Sequence, residues 1–391
     1  MRTQVGIVGA GPAGLMLSHL LHQRGVESVV IDLRSRTDIE ETIKAGVLEQ
    51  GTVDLMTQTG VGDRLHRDGF VHHGFNLAFS GRMHRINLHE LTGGRSVTVY
   101  AQHEVLKDLI ARRLEDGGDL RFGVTDTTVE GLDTERPVIS FTHEDEQHRL
   151  ECDFVIGADG SRTYTRFLIP EGTVRTDFFR QYPFAWFGIL AEAPPSSDEL
   201  IYAHSDRGFA LISTRSPSVQ RLYFQCDPAT NADQWSEDRI WEEIQARVAG
   251  AGATVKTGTI FRKDILQFRS FVCEPMQYGR LYLAGDAAHT VPPTGAKGMN
   301  LAIADVHLLD RAIGTFYDAK DTGLLDAYTE TALKRIWRAQ HFSWWMTSML
   351  HRFSDATDFD LRRQIAELEM VTSSPTAAKT IADNYVGLPL T

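Results

Sequence analysis

The sequence predicts an α/β protein in three parts: a Rossmann-like nucleotide-binding domain, an antiparallel sheet set into it, and a C-terminal helical region. Three observations predict this. A strand, a glycine-rich turn, a helix and a second strand follow one another within the first thirty-two residues. Two later strands end in Asp159-Gly160 and Gly285-Asp286. The residues from about 73 to 99 and from about 182 to 267 alternate with a strand period, whereas the chain from Gly298 onward reads as largely helical.

The bulk properties agree with a globular chain of more than one packed unit. There are 391 residues, 42% hydrophobic and 24% charged. The net charge of −12 argues against a nucleic-acid surface, which needs clustered excess Lys and Arg. The three cysteines, Cys152, Cys226 and Cys273, are far apart and form no CxxC pair, so no metal site or disulfide framework is expected. No basic leader precedes an apolar stretch, and no run reaches the roughly 18 apolar residues of a membrane span. The expectation is a cytoplasmic protein with no membrane or nucleic-acid partner.

In chain order, Thr3 to Val8 is a short buried strand, followed by Gly9-Ala10-Gly11-Pro12-Ala13-Gly14. Leu15, Leu17, Leu20 and Leu21 then recur at helical spacing, and Val26 to Ile31 forms the second strand, closed by Asp32 and Leu33. In this GxGxxG turn Gly9 permits the tight bend, Gly11 lets backbone approach a pyrophosphate, and Gly14 allows close helix–strand packing. The helix N-terminus faces the phosphates with unpaired N–H groups, and Asp32 is placed to accept from a ribose.

The second strand ending, Phe154 to Gly160, continues into Ser161, Arg162 and Arg166. The third, Leu281 to Asp286, leads into Pro292-Pro293-Thr294-Gly295-Ala296-Lys297-Gly298-Met299-Asn300. Prolines forbid helix there, glycines allow close approach, and a helix begins near Gly298. Its N-terminus and Lys297 would supply positive potential to a ligand ring. Ser213 and Arg215 alternate on one face of a predicted strand, as Arg221 and Tyr223 do on the next. Ser236 to Arg247 reads as an amphipathic helix with acids in its first turn. The aromatics Trp337, Phe342, Trp344 and Trp345 read as core or interface packing.

The three motifs in this order resemble the signature of the class A FAD-dependent aromatic hydroxylases. The runs Ala45 to Gly51, Tyr100 to Glu104, Arg269 to Phe271, Glu274 to Gln277, Gly285 to Asn300, Phe342 to Thr347 and Asn384 to Pro389 narrow the resemblance to the branch acting on 4-hydroxybenzoate. It spans essentially the whole chain. It implies FAD as cofactor, NADH or NADPH as electron donor and O2 as co-substrate, with 3-hydroxylation of the ring through a flavin hydroperoxide. A homodimer is also implied.

By this resemblance Tyr202 would hold the substrate phenol, Tyr385 would continue a proton relay, and His72 would end it. Ser213, Arg215 and Tyr223 would hold the carboxylate, with the Pro293 carbonyl and Thr294 at the phenol side. Lys297 and Asn300 would act beside the flavin. FAD contacts would come from Gly9, Gly11, Ala13, Gly14, Asp32, Leu33, Thr42, Lys44, Val47, Gln102, Asp159, Gly160, Asp286, Pro293, Lys297, Gly298, Met299 and Asn300. Arg221 would govern flavin movement, and Arg162, Arg166 and Arg269 would meet the nicotinamide cofactor. Positions 42 and 44 are commonly Arg in the family; here they are Thr42 and Lys44, and Lys lacks the two-pronged geometry. In Arg34 to Glu41 two cations face three acids, which leans toward NADH or dual use.

The expected organisation is an FAD-binding domain of residues 1–72, 100–181 and 268–320, a substrate sheet of 73–99 and 182–267, and a helical region of 321–391. The rivals are a hydroxylase of 3-hydroxybenzoate or another phenolic acid on this scaffold, and a non-catalytic FAD-fold binding protein.

Overall fold

The computed structural model describes residues 1–390. Its first sheet has six strands in the order Gln277–Tyr278, Leu281–Leu283, Phe154–Gly157, Val5–Val8, Ser28–Asp32, Asp119–Phe122. All pairings are parallel except the first hairpin. The central strands are buried along their length, as parallel strands covered on both faces must be. Helix Pro12–Gln23 starts with proline at its first turn, where the missing N–H costs nothing. It packs against Gln102–Glu115 and Gly298–Ala319.

Chain reversal at the C-terminal ends of these strands places four glycine- or acid-bearing turns side by side. They are the turn after Val8, Asp32, the Asp159 turn after Gly157, and Gly285 after Leu283. Open parallel sheets bind ligands at this edge.

An eight-stranded sheet carries the rest of the site: His289–Thr290, Thr259–Glu274, Thr176–Glu192, Val219–Cys226, Gly208–Ser216, Ile201–Ser205, Gly74–Phe79, Arg82–Asn87. Two of its strands are 17 and 16 residues long rather than short, with register shifts where they bend. At the end where Thr176 faces Glu274, the strand Thr259–Glu274 also pairs with His289–Thr290, which makes the edge of this sheet. Helix Glu237–Val248, capped by the Ser236 hydroxyl, covers one face with Ile240, Ile244 and Val248. The other face packs on helices Tyr328–Leu350, Asp358–Ser373 and Pro375–Tyr385 through an aromatic core that includes Phe75, Trp186, Tyr202, Phe209 and Phe342. No helix among the described residues is long and apolar enough to cross a membrane.

Candidate active site

The nucleotide turn is shaped by what a side chain would strike. A Cβ on Gly9, where φ is +113°, would lie 2.2 Å from the Ala158 carbonyl oxygen, and one on Gly14 would lie 1.9 Å from Gly9 O. Neither position tolerates alanine, and each is dictated by the protein itself. Gly11 differs: its nearest neighbour would be Ala158 O at 3.9 Å, so a Cβ there projects into open space. A glycine with no internal need for one fits a backbone that a ligand approaches closely. Ala13 is buried beneath this turn, close to Gly285, and Leu33 is exposed beyond it.

Asp32 is buried and already shaped by its surroundings. Its carboxylate accepts from Ala10 N–H at 2.7 Å and from Arg34 N–H at 2.8 Å, and it pairs with the Arg34 guanidinium. Arg36 pairs with Glu40, and Asp38 completes a capping box with Ser35. Thr42 ends this helix by donating to Asp38 O, while Lys44 is exposed. Gln102 opens the following helix, its N–H donating to the Lys44 carbonyl at 3.3 Å.

Asp159 spends its carboxylate on its own turn. It accepts from the hydroxyls of Thr163 and Thr165 and from the N–H groups of Tyr164 and Thr165 at 2.6 to 2.9 Å. Four donors saturate it. Gly160 follows with φ +76°. Arg166 is buried, donates to Ala287 O at 3.0 Å and lies 4.2 Å above the Phe271 ring. Arg162 and Arg269 are exposed. Asp286 is exposed too, held out by the left-handed Gly285 on a one-turn helix.

The loop that follows is tied down thoroughly. Pro293 O accepts from Ala296 N–H at 3.0 Å, and Lys297 is the N-cap of helix Gly298–Ala319. Gly298, like Gly11, has open space where a Cβ would be, and Met299 beside it is partly exposed. The Lys297 ammonium is buried against Glu49 at 2.5 Å and also donates to the Tyr385 carbonyl at 3.1 Å. Burial pushes the Lys297 pKa down, opposed by Glu49. The positive potential expected of Lys297 alone is therefore that of an ion pair plus a helix N-terminus. Asn300 uses its whole amide on the protein: it accepts from Glu49 N–H and the Thr52 hydroxyl, and donates to Val47 O and Ala296 O. It positions the Val47–Glu49 strand against the helix.

Glu49 is a residue that sequence reasoning passed over. Its signal was a lone acid inside the apolar run Val47-Leu48-Glu49, but its partner lies 248 residues away.

The substrate side is built on strand register. Tyr202 faces Leu211, Leu211 faces Tyr223, and Tyr223 faces Gly188 across four adjacent strands. Directly opposed residues share a face, so the two tyrosines point the same way. Ser213 and Arg221 are opposed on the next row of that face, and Arg215 lies two residues further on. Gly188 makes room: a Cβ there would lie 2.9 Å from the Tyr223 ring.

Tyr202 and Tyr385 are buried and joined hydroxyl to hydroxyl at 2.7 Å. Burial pushes Tyr202 up to about 12 and Tyr385 well above its ordinary value, so both stay protonated near neutral pH. Each can donate one hydrogen bond while accepting another. His72 is buried on the short strand Phe70–His72, and its Nδ1 has no hydrogen-bond partner among the described residues. Burial, with Arg215 as a neighbouring cation, lowers it to about 4.

Among the described residues Arg215 reaches one protein acceptor, the Gly46 carbonyl at 3.2 Å. Among the described residues its Nε and the Ser213 hydroxyl have no hydrogen-bond partner, although both atoms are out of solvent. Burial, with Arg221 beside it, lowers Arg215 to about 10, opposed by Tyr223; it remains a cation at neutral pH. Arg221 sits 5.2 Å over the Tyr223 ring and 3.5 Å from Asp264. A buried cation without a carboxylate and a buried hydroxyl without a partner are costly unless an anion completes them.

The chain matches the FAD binding domain family over residues 2–343. It is 43% identical over 390 residues to p-hydroxybenzoate hydroxylase of Acinetobacter baylyi, covering 100% of this chain and 96% of that one. Its fold is similar to the solved p-nitrophenol 4-monooxygenase from Pseudomonas putida, with TM-score 0.82, 16% identity and 99% of both chains covered. It is also similar to anhydrotetracycline hydroxylase from Streptomyces rimosus, with TM-score 0.76, 23% identity, and 99% of this chain and 76% of that one covered. The last two likenesses speak to fold alone. The family match and the full-length identity together show that this chain belongs to the FAD-binding flavoprotein aromatic hydroxylases, monooxygenases that use FAD, a nicotinamide donor and O2.

Proposed function

We propose that this protein hydroxylates 4-hydroxybenzoate at its 3-position to give 3,4-dihydroxybenzoate. The observation that carries the substrate class is the pair of unpartnered buried donors, Arg215 Nε and Ser213 Oγ, on the same sheet face as the Tyr202–Tyr385 hydroxyl pair. One end of this pocket suits a carboxylate and the other a phenol. The guanidinium fork offers two parallel N–H groups to a carboxylate, with the Ser213 hydroxyl and Tyr223 beside it.

FAD would lie along the strand-end edge, held at Gly11, Asp32, the Asp286 carboxylate and the Gly298 helix N-terminus, with Ala13, Gly14, Leu33, Thr42, Lys44, Val47, Gln102, Asp159, Gly160 and Met299 around it. Bound there, it supplies the electrophilic oxygen. The protein's own part is to bind, orient and ionise the substrate. A phenol near pKa 10 must come down by about 3 units to ionise at neutral pH, worth about 4 kcal/mol. The Tyr202 hydroxyl can take up the phenol's hydrogen bond and Tyr385 can pass the proton onward. His72 would stand at the end of the relay; lowered to about 4, its imidazole is too weak a base to keep the proton near neutral pH and would hand it on to solvent. The Pro293 carbonyl and Thr294 would bound the pocket on the cofactor side.

Arg34 and Arg36 are both engaged by carboxylates of their own segment, which supports NADH or dual use over strict NADPH use. Arg162, Arg166, Arg269 and Arg221 would serve cofactor binding and movement. The proposed division of labour places the cofactor on residues 1–72, 100–181 and 268–320 and the substrate on 73–99 and 182–267. Residues 321–391 would contribute to a homodimer interface, supported by the exposed Trp337 and Trp344 and by the exposed Phe178 that packs on Trp337 from the cofactor domain. A cytoplasmic location goes with this chemistry.

The test follows oxidation of NADH and of NADPH by the FAD-loaded protein with and without 4-hydroxybenzoate, with chromatographic identification of the product. Stimulated oxidation yielding 3,4-dihydroxybenzoate is the expected result. Absence of stimulation in folded, flavin-loaded protein overturns the reading.

A further inference from the structure

Helix Tyr328–Leu350 is buried against the aromatic core, yet one of its faces is polar. Gln340, Ser343 and Thr347, together with His351 just past its end, are all buried. Their spacings of three, four and four residues put them on one stripe. Burying four polar side chains in a row is expensive unless each has a task.

Three of the four grip the loop before helix Gly298–Ala319. Gln340 donates to Thr290 O at 2.7 Å and to Phe271 O at 3.1 Å, holding the loop where it leaves the sheet. Ser343 meets the loop by packing alone: a Cβ on Gly295 would be 2.6 Å from its hydroxyl, which has no hydrogen-bond partner among the described residues. Thr347 Oγ1 is hydrogen-bonded to Thr294 Oγ1 at 2.9 Å and to Ser343 O at 2.7 Å. Its single proton serves one of these, so Thr294 is the donor whenever Thr347 donates to the carbonyl.

The fourth residue grips the substrate wall. His351 Nδ1 faces the Thr347 carbonyl at 2.9 Å, so it carries the proton, and Nε2 accepts from the Trp186 indole N–H at 2.7 Å. Phe184 and Phe209 stack on the imidazole at 4.6 and 4.3 Å. Trp186 in turn packs 4.8 Å from Tyr223.

We infer that this stripe is a positioning rail: Thr347 and His351 set the distance between the Pro293–Gly295 loop on the cofactor side and the Trp186–Tyr223 wall on the substrate side. It rests on the function proposed above, in which those two surfaces face flavin and substrate. Oxygen transfer competes with loss of the activated oxygen as peroxide, so a small misalignment appears as wasted reductant rather than as lost flavin. A displacement of about 1 Å can cost up to about a hundredfold in a positioned reaction.

The test compares Thr347→Val with Thr347→Ser in the FAD-loaded full chain. It reads the visible circular dichroism of the bound flavin and the product formed per NAD(P)H oxidised, with thermal unfolding as a check on folding. Val removes the hydroxyl, and Ser restores it. The expected result is an altered flavin spectrum and a product yield at least about threefold lower for Thr347→Val, with Thr347→Ser close to the parent. Should Thr347→Val not fold, Trp186→Phe loosens the other end while keeping an aromatic ring, and the same two readouts move. A folded variant that keeps the parent spectrum, or keeps the parent yield, overturns the rail; so does Thr347→Ser failing as badly as Val. A parent that does not hydroxylate 4-hydroxybenzoate sinks the proposed substrate, and the flavin spectrum then decides the rail by itself.

Discussion

Two buried polar regions meet at the segment Gly46 to Glu49, the one through Arg215 and the other through Lys297 and Asn300, and are finished to different degrees. Around Lys297, Glu49 and Asn300 the charges are paired and the Asn300 amide makes four hydrogen bonds within the protein. Around Arg215 and Ser213 a cation lacks a carboxylate and a hydroxyl lacks any partner among the described residues. The first region finds its partners within the protein. The second leaves a guanidinium N–H and a neighbouring hydroxyl of one sheet face for an anion to meet, which is what the proposed carboxylate would use.

The largest effect should come from breaking the complete region. Lys297→Met leaves Glu49 buried beside an apolar chain, and unfolding should be easier by about 3–5 kcal/mol. Thermal and denaturant unfolding would measure it, and adding Glu49→Gln should recover part of the loss. Arg215→Ala removes the cation that the second region was built to offer. It should weaken 4-hydroxybenzoate binding by about 2–5 kcal/mol with little change in unfolding temperature, read by titration of the flavin spectrum. Equal losses of stability in both variants would erase the distinction between the regions.

Tyr385→Phe tests the hydroxyl pair. Binding should persist while hydroxylation falls on the order of a hundredfold, the usual scale for losing a proton-transfer group. A smaller effect is expected from pH. His72 and His351 are lowered to about 4 and about 3, in both cases by burial first. The unfolded chain, with histidines near 6.5, therefore binds more protons below that value. Stability should fall as pH drops from about 6.5 toward 4, by about 1.4 kcal/mol per pH unit for each proton. A His72→Gln variant should show a shallower slope over that window. The smallest change is Lys44→Arg, which should tighten FAD binding by about 1 kcal/mol through two-pronged geometry.

What could be read from the sequence was whatever short-range spacing encodes. The turn from Gly9 to Gly14, the strand ends at Asp159 and Asp286, and the Ser213/Arg215 alternation are local patterns whose geometry follows from backbone period. The helix expected over Ser236 to Arg247 was equally plain and forms over Glu237–Val248; the structure adds Ser236 as its cap. What stayed hidden depends on partners distant in the chain or on how a side chain spends its hydrogen bonds. Asp159 looked like a ligand-facing acid, but its own turn saturates it. Lys297 looked like a free cation until Glu49 came beside it. The polar stripe of Gln340, Ser343 and Thr347 was masked by the aromatics Phe342, Trp344 and Trp345 interleaved with it, and only the loop it faces reveals its purpose.

The central claim is that the unfinished region awaits an aromatic carboxylate. It is tested most directly by titrating the FAD-loaded protein with 4-hydroxybenzoate and with its neutral amide, 4-hydroxybenzamide, in the parent and in Arg215→Ala. The account predicts that the parent prefers the carboxylate by about thirtyfold or more, as a charge-assisted hydrogen bond of about 2 kcal/mol requires, and that Arg215→Ala loses the preference. Equal affinity of the parent for acid and amide would contradict it.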